Sequence, residues 1–174
     1  MLLRVSRIVC FGGATLSMFA GGGGFASEPA PVHNVPVITE AGAQAVIAAA
    51  EREAKELHAP VAIAVVDGSG ILVAFAKMDG VRPGSPDLAI GKARTSALLQ
   101  RPTAETEDNV DKGRIAFVTS GLMALRGGTP LKAGDAVVGA VGVAGLNKDN
   151  DVVIAEAAST AFSALTAKNG GERQ

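Results

Sequence analysis

Three segments of this chain are apolar on both faces of what would be a β-strand, and that pattern restricts the fold more than anything else in the sequence. Val61, Ile63 and Val65 alternate with Ala62 and Ala64. Ile71, Val73 and Phe75 alternate with Leu72, Ala74 and Ala76. Between Ala136 and Ala144, Val137, Val141 and Val143 alternate with Val138, Ala140, Gly142 and Ala144. Each segment thus reads as a strand with one bulky face and one face of mostly small residues, and a sheet built from them needs cover on both sides. Small residues on one face let a helix approach the backbone closely. Asp67-Gly68-Ser69-Gly70 joins the first two strands. Glycine supplies the positive φ that tight hairpin turns demand, so these strands are antiparallel.

The flanking segments read as helices. Ala43, Val46, Ile47, Ala50, Ala54 and Leu57 recur at helical spacing from about Glu40 to His58, with Thr39 as N-cap and Pro60 as the stop. Ser85-Pro86-Asp87 is a helix start, with Ser85 as cap, for a helix of about Pro86 to Leu99. Thr103 caps a short helix of about Ala104 to Lys112. The apolar stretch Ile115 to Arg126 holds a strand near Leu122 to Leu125. Gly127-Gly128-Thr129-Pro130 is a tight connection, and Leu131 to Ala133 is a short strand. A last helix spans about Asp151 to Ala167, with Ile154, Ala158, Ala161, Phe162 and Leu165 on one face, and residues 168–174 fray. Helix, hairpin, two helices, more strands and a helix in that order make an α+β sandwich rather than a βαβ fold.

Residues 1–26 read as a secretory signal. Arg4 and Arg7 precede an apolar centre from Ile8 to Ala20, the glycine run Gly21 to Gly24 breaks it, and Gly24-Phe25-Ala26 suits cleavage near Ala26. The run also argues against a retained anchor, because a span needs ~20 consecutive apolar residues. The expectation is a periplasmic or secreted protein with a flexible Pro-rich start (27–38), one domain (39–167), and no membrane attachment after cleavage. The only cysteine, Cys10, lies in the leader, so the mature chain has no disulfide and no thiol chemistry. Net charge is −1 with no basic stripe, which argues against nucleic acid.

The stretch from Pro60 to Leu98 carries a VVD-x-x-G hairpin, a second strand ending in Met78-Asp79-Gly80, and the run Lys92-Ala93-Arg94-Thr95-Ser96-Ala97. Gly127-Gly128-Thr129-Pro130 and the VVGAVGVAG run from Val137 to Gly145 follow. In this order and spacing the chain resembles the GlcG/HbpS family, the haem-degrading type also found as the PduO C-terminal domain, over about Thr39 to Leu165. The resemblance implies an antiparallel sheet of about five strands flanked by helices, a profilin/PAS-like sandwich, assembled into homo-oligomers. It also implies haem or another tetrapyrrole as ligand, for capture, storage or sensing.

Haem iron takes His, Met, Cys, Tyr or a weaker oxygen donor. His58 is either the cation that closes the first helix dipole or an iron ligand, and His33 sits in the Pro-rich start. Met78 and Met123 read as packing residues, and Thr95, Thr119 and Thr129 stay open as oxygen donors. Lys92, Arg94 and Arg82 would pair with propionates or a substrate carboxylate, or form a solvated face. Gly127 and Gly128 are turn residues or bring backbone N–H groups to a ligand. Asp67, Asp79 and Asp87 stay open as paired carboxylates, or have turn and cap roles that need no chemistry. No nucleophile elbow and no zinc spacing occurs, so any enzymatic role rests on the resemblance. The alternatives are a protein acting on a small organic acid of glycolate type and an assembly subunit without ligand.

Overall fold

The structure, a computed structural model, describes residues 34–171. The leader, its cleavage point and His33 lie outside them. The elements are α1 (Glu40–Glu56), β1 (Ala62–Asp67), β2 (Leu72–Lys77), α2 (Ser85–Leu99), α3 (Thr103–Asp111), α4 (Ala116–Thr119), β3 (Gly128–Ala133), β4 (Ala136–Ala144) and α5 (Lys148–Gly171). The strands form one antiparallel sheet of four in the order β2-β1-β4-β3. The architecture is the expected α+β sandwich, with four strands among the described residues rather than five. The Leu122 to Leu125 segment is loop. It lies instead across α2, where Met123 N–H donates to Thr95 Oγ1 at 2.8 Å and the Met123 side chain covers Gly91.

Helices cover the two faces unequally. Ile63, Val65, Val141 and Val143 form the bulky core with Val46 and Ala50 of α1 and Ile154, Ala158 and Phe162 of α5. Ala62, Ala64, Ala140 and Ala144 face Ala89, Ala93 and Ala97 of α2. At Gly142 an added Cβ would run into the α2 backbone at Ala89, so the small-residue face seats that helix.

Two bulges change the expected alternation. Val65 pairs with Ala74 but Val66 with Leu72, which makes Val73 the extra residue. Ala74 and Ala76 then share the bulky face with Ile63 and Val65, and Phe75 stands opposite Ala64 on the other face. In β4, Gly139 pairs with Leu131 but Val137 with Lys132, so Val138, not Val137, turns into the core with Val141. Because α2 lies over β1, β4 and β3, it leaves the β2 edge uncovered. Ile71, Leu72, Phe75 and, on α2, Leu98 are exposed.

Several boundaries move for local reasons. Thr39 caps α1 as expected, its Oγ1 accepting from Gly42 N–H at 3.1 Å. Ser85 and Thr103 are not caps. Each is the first residue of its helix, and neither helix has a side-chain cap bond. Gly128-Thr129-Pro130 belongs to β3, where an edge position tolerates the proline. Helix α5 starts at Lys148 and runs on to Gly171, with Leu165 exposed.

Helix α1 ends at Glu56, two residues earlier than expected, and His58 lies beyond it at φ 51°. His58 N–H donates to Lys55 O at 3.2 Å and Ala59 N–H to Ala54 O at 2.9 Å, the Schellman pattern that favours glycine. A His58→Gly variant is therefore expected to gain about 1 kcal/mol, read as a higher denaturation midpoint. An unchanged or lower midpoint would contradict this account of the turn.

Candidate functional site

Lys92 sits on α2 in the run Ala89 to Ala93, pointed toward the start of α5. Its side chain is 4% exposed and its Nζ lies 2.7 Å from Asp151 Oδ2, itself 5% exposed. Nζ also donates to Val143 O at 2.8 Å, and Asp151 Oδ1 accepts from Gly145 N–H at 2.7 Å. An ion pair removed from water in this way is tolerated only when hydrogen bonds satisfy its remaining donors and acceptors. Two of the three ammonium donors are used, which leaves one for a ligand oxygen. Lys92 is thus neither a solvated residue nor a free cation, but a buried brace between α2, β4 and α5.

The two glycines make room for this brace. Gly127 has φ 108°, and a Cβ there would meet Val143 O at 2.8 Å, Asp151 Cβ at 2.9 Å and Lys92 Nζ at 3.1 Å. Gly128 packs on the Lys92 carbonyl, and its N–H donates to Thr103 Oγ1 at 2.9 Å.

Above the brace a cleft of ≈ 140 Å³ is lined by Arg82, Lys92, Glu107, Leu125, Arg126, Leu146 and Lys148, among others. Arg82 lies on the exposed surface, and its Nη2 donates to Gly145 O at 2.8 Å. Arg126 is held by Glu107 and by Asp108, the latter at 3.2 Å. The hydrogen bond that Arg126 donates to Glu107, more than the surrounding charge, raises the Arg126 pKa above its ordinary value. Leu125 and Leu146 stand exposed at the mouth. A second cleft, also ≈ 140 Å³, lies on the far side of Leu146, between His58 and Pro60 and Asn147, Asn150 and Asp151.

The structure therefore brings Arg82, Lys92, Gly127 and Gly128 to one place, with His58 at the neighbouring cleft. It does not bring Arg94 or Thr95 there. Arg94 Nε donates to Gly70 O at 3.0 Å, next to the β1–β2 hairpin. Thr95 is 1% exposed and accepts from Met123 N–H, so its oxygen serves the fold rather than an iron. Thr119 Oγ1 bonds back to Ala116 O on the surface. Asp67 holds its own turn, accepting from Ser69 and Ile71 N–H at 2.8 and 2.9 Å. The sequence reading missed Asp151, Glu107, Arg126 and Lys148. Asp151 lies 59 residues from Lys92, and the one local signal is an acid in the first turn of a helix. Among the described residues no three His, Cys, Asp or Glu side chains gather as a metal site, and no helix is long and apolar enough to cross a membrane.

Known proteins resemble this chain in sequence and in fold. Residues 38–160 match the family model described as haem degrading protein HbpS-like. The chain is 41% identical to protein GlcG of Escherichia coli (strain K12) over 108 residues, 62% of this chain and 81% of that protein. Among solved structures, Klebsiella pneumoniae protein ORFY superposes with a TM-score of 0.75 at 31% identity, covering 79% of this chain and 99% of that one. A Streptomyces reticuli HbpS double mutant gives 0.69 at 30%, covering 85% and 97%. A PduOC:Heme complex gives 0.66 at 25%, covering 72% and 94%. Taken with the four-stranded sheet and its helices, these matches place the chain in the HbpS-like family of haem degrading proteins.

Proposed function

We propose that the protein is an exported haem-binding protein and that haem lies across Leu146, between the Arg82 cleft and the His58 cleft. One observation carries this reading: exposed cations, an exposed imidazole and exposed leucines meet around Leu146. Arg82 and Lys148 suit propionates, Leu125 and Leu146 suit the macrocycle, and His58 is an exposed imidazole donor. When bound, haem supplies an iron open to ligand exchange or redox chemistry. The chain's own part is to hold the propionate edge and present the imidazole. The relative crystallised as a PduOC:Heme complex supports the same ligand. The leader pattern of residues 1–26 supports export, and the uncovered β2 edge supports a homo-oligomer.

A second reading follows from size. Each cleft is ≈ 140 Å³, below the roughly 300–1,000 Å³ of sites that enclose a drug-sized ligand. Haem can therefore insert only an edge, whereas a small organic acid fits the Arg82 cleft whole, with its carboxylate on Arg82 and the free Lys92 donor. A hemin titration followed by absorbance and thermal melting separates the two readings. Haem binding gives a saturable shift of the Soret band and a raised melting temperature, because a ligand of the folded state stabilises it. A non-saturating absorbance change sinks the haem reading. A melting temperature raised by glycolate-sized acids and not by hemin establishes the second.

A further inference from the structure

A larger recess lies away from this site, where the end of α2, the start of α3, the outer edge of β3 and α5 meet. It measures ≈ 380 Å³, and its walls include Arg101, Glu105, Thr129, Lys132, Ser159 and Ser163. It shares no lining residue with the Lys92–Asp151 cleft. We propose that this recess is a second binding site, for a small hydroxyl-bearing oxyanion whose charged group is a carboxylate or a phosphate.

The walls show why an anion belongs there. Arg101 Nε is buried and has no hydrogen-bond partner within the protein. Nε is shut off from solvent, but the Arg101 side chain as a whole is 31% exposed, so a ligand oxygen in the recess would meet the outer, exposed part of the guanidinium. The guanidinium carbon lies 5.4 Å from the centre of the Phe117 ring, so the ring holds one face of the group and leaves its edge for an oxyanion. The one acid at the recess, Glu105, touches Arg101 only at 4.0 Å and is itself exposed, so it neutralises the cation weakly. Lys132 adds a second cation from β3, and its side chain is exposed, with no hydrogen bond or ion pair among the described residues. Helix α3 opens at Pro102, on the recess wall, without a side-chain cap, so its first-turn N–H groups add positive potential. Ser159 and Ser163, one helical turn apart on α5, supply hydroxyls for the uncharged part of the ligand. Ser159 already donates to Pro130 O at 2.7 Å, which leaves its lone pairs to accept.

Calorimetric titration of the full chain with inorganic phosphate and, separately, with tartrate tests the site. Saturable binding of either supports it, and the anion that binds identifies the charged group. Lys132→Glu, a change at an exposed residue, is expected to weaken that binding at least tenfold and to leave hemin binding as it was. Arg101→Gln should weaken it likewise, and amide resonances of Thr129, Lys132 and Ser163 should shift on binding. No saturable binding of either anion overturns the proposal. So does unchanged affinity in both variants, or amide shifts confined to other residues.

Discussion

Replacing Asp151 by alanine is expected to cost the fold about 3–5 kcal/mol, the range for breaking one side of a buried ion pair. The loss has three parts. Lys92 would keep a buried charge with only Val143 O beside it, and Gly145 N–H would lose its acceptor. The third part is a small cavity where the carboxylate was. At about 2–4 °C per kcal/mol for a domain of this size, the melting temperature should fall by roughly 6–20 °C. The double variant Lys92→Met/Asp151→Leu separates charge from packing. Apolar residues of similar volume often replace a buried pair at little cost, so much of the loss should return, less the unpaired Gly145 N–H. A double variant as unstable as Asp151→Ala would show that the brace acts through shape or backbone bonding rather than paired charge.

Gly142→Ala is expected to be comparably damaging for a different reason. Its β-carbon would strike Ala89 O and lie 2.5 Å from Ala93 N. Both obstacles are helix backbone, which no side-chain rotation relieves. Overpacking a well-filled interior costs about 1–3 kcal/mol and sometimes more, and here α2 must lift off the sheet. Since α2 carries Lys92, the same change should loosen the Arg82 cleft. Gly91→Ala makes a useful contrast, because its obstacle is the flexible end of Met123, and it should be milder. Equal denaturation midpoints for the two variants would contradict the close seating of α2 on the small-residue face.

Much of this was legible in the sequence, and what was not has identifiable causes. The Thr39 cap, the hairpin held by Asp67 and the apolar stripe of α1 depend on neighbours within a few residues, so local pattern suffices. The inverted β2 and the inward Val138 depend on bulges. A bulge is set by cross-strand register, which alternation along one strand does not contain. Ile115 to Arg126 has the apolarity of a strand but pairs with neither edge of the sheet. Its Met123 amide finds Thr95 instead, from across 28 residues. At the site, Arg82, Lys92, Gly127 and Gly128 stood out by residue type. The carboxylate that commits Lys92 did not, because ion pairing over 59 residues leaves no local trace.

The most direct test of the haem site is a hemin titration of three proteins side by side: the native chain, Arg82→Ala and His58→Gly. A charge-assisted hydrogen bond contributes about 1.5–3 kcal/mol, so Arg82→Ala should weaken hemin about tenfold or more. His58→Gly, more stable without hemin, should show a displaced Soret maximum because the imidazole is gone. If hemin saturates all three with the same affinity and the same spectrum, haem does not lie across Leu146, and the assignment of this site fails.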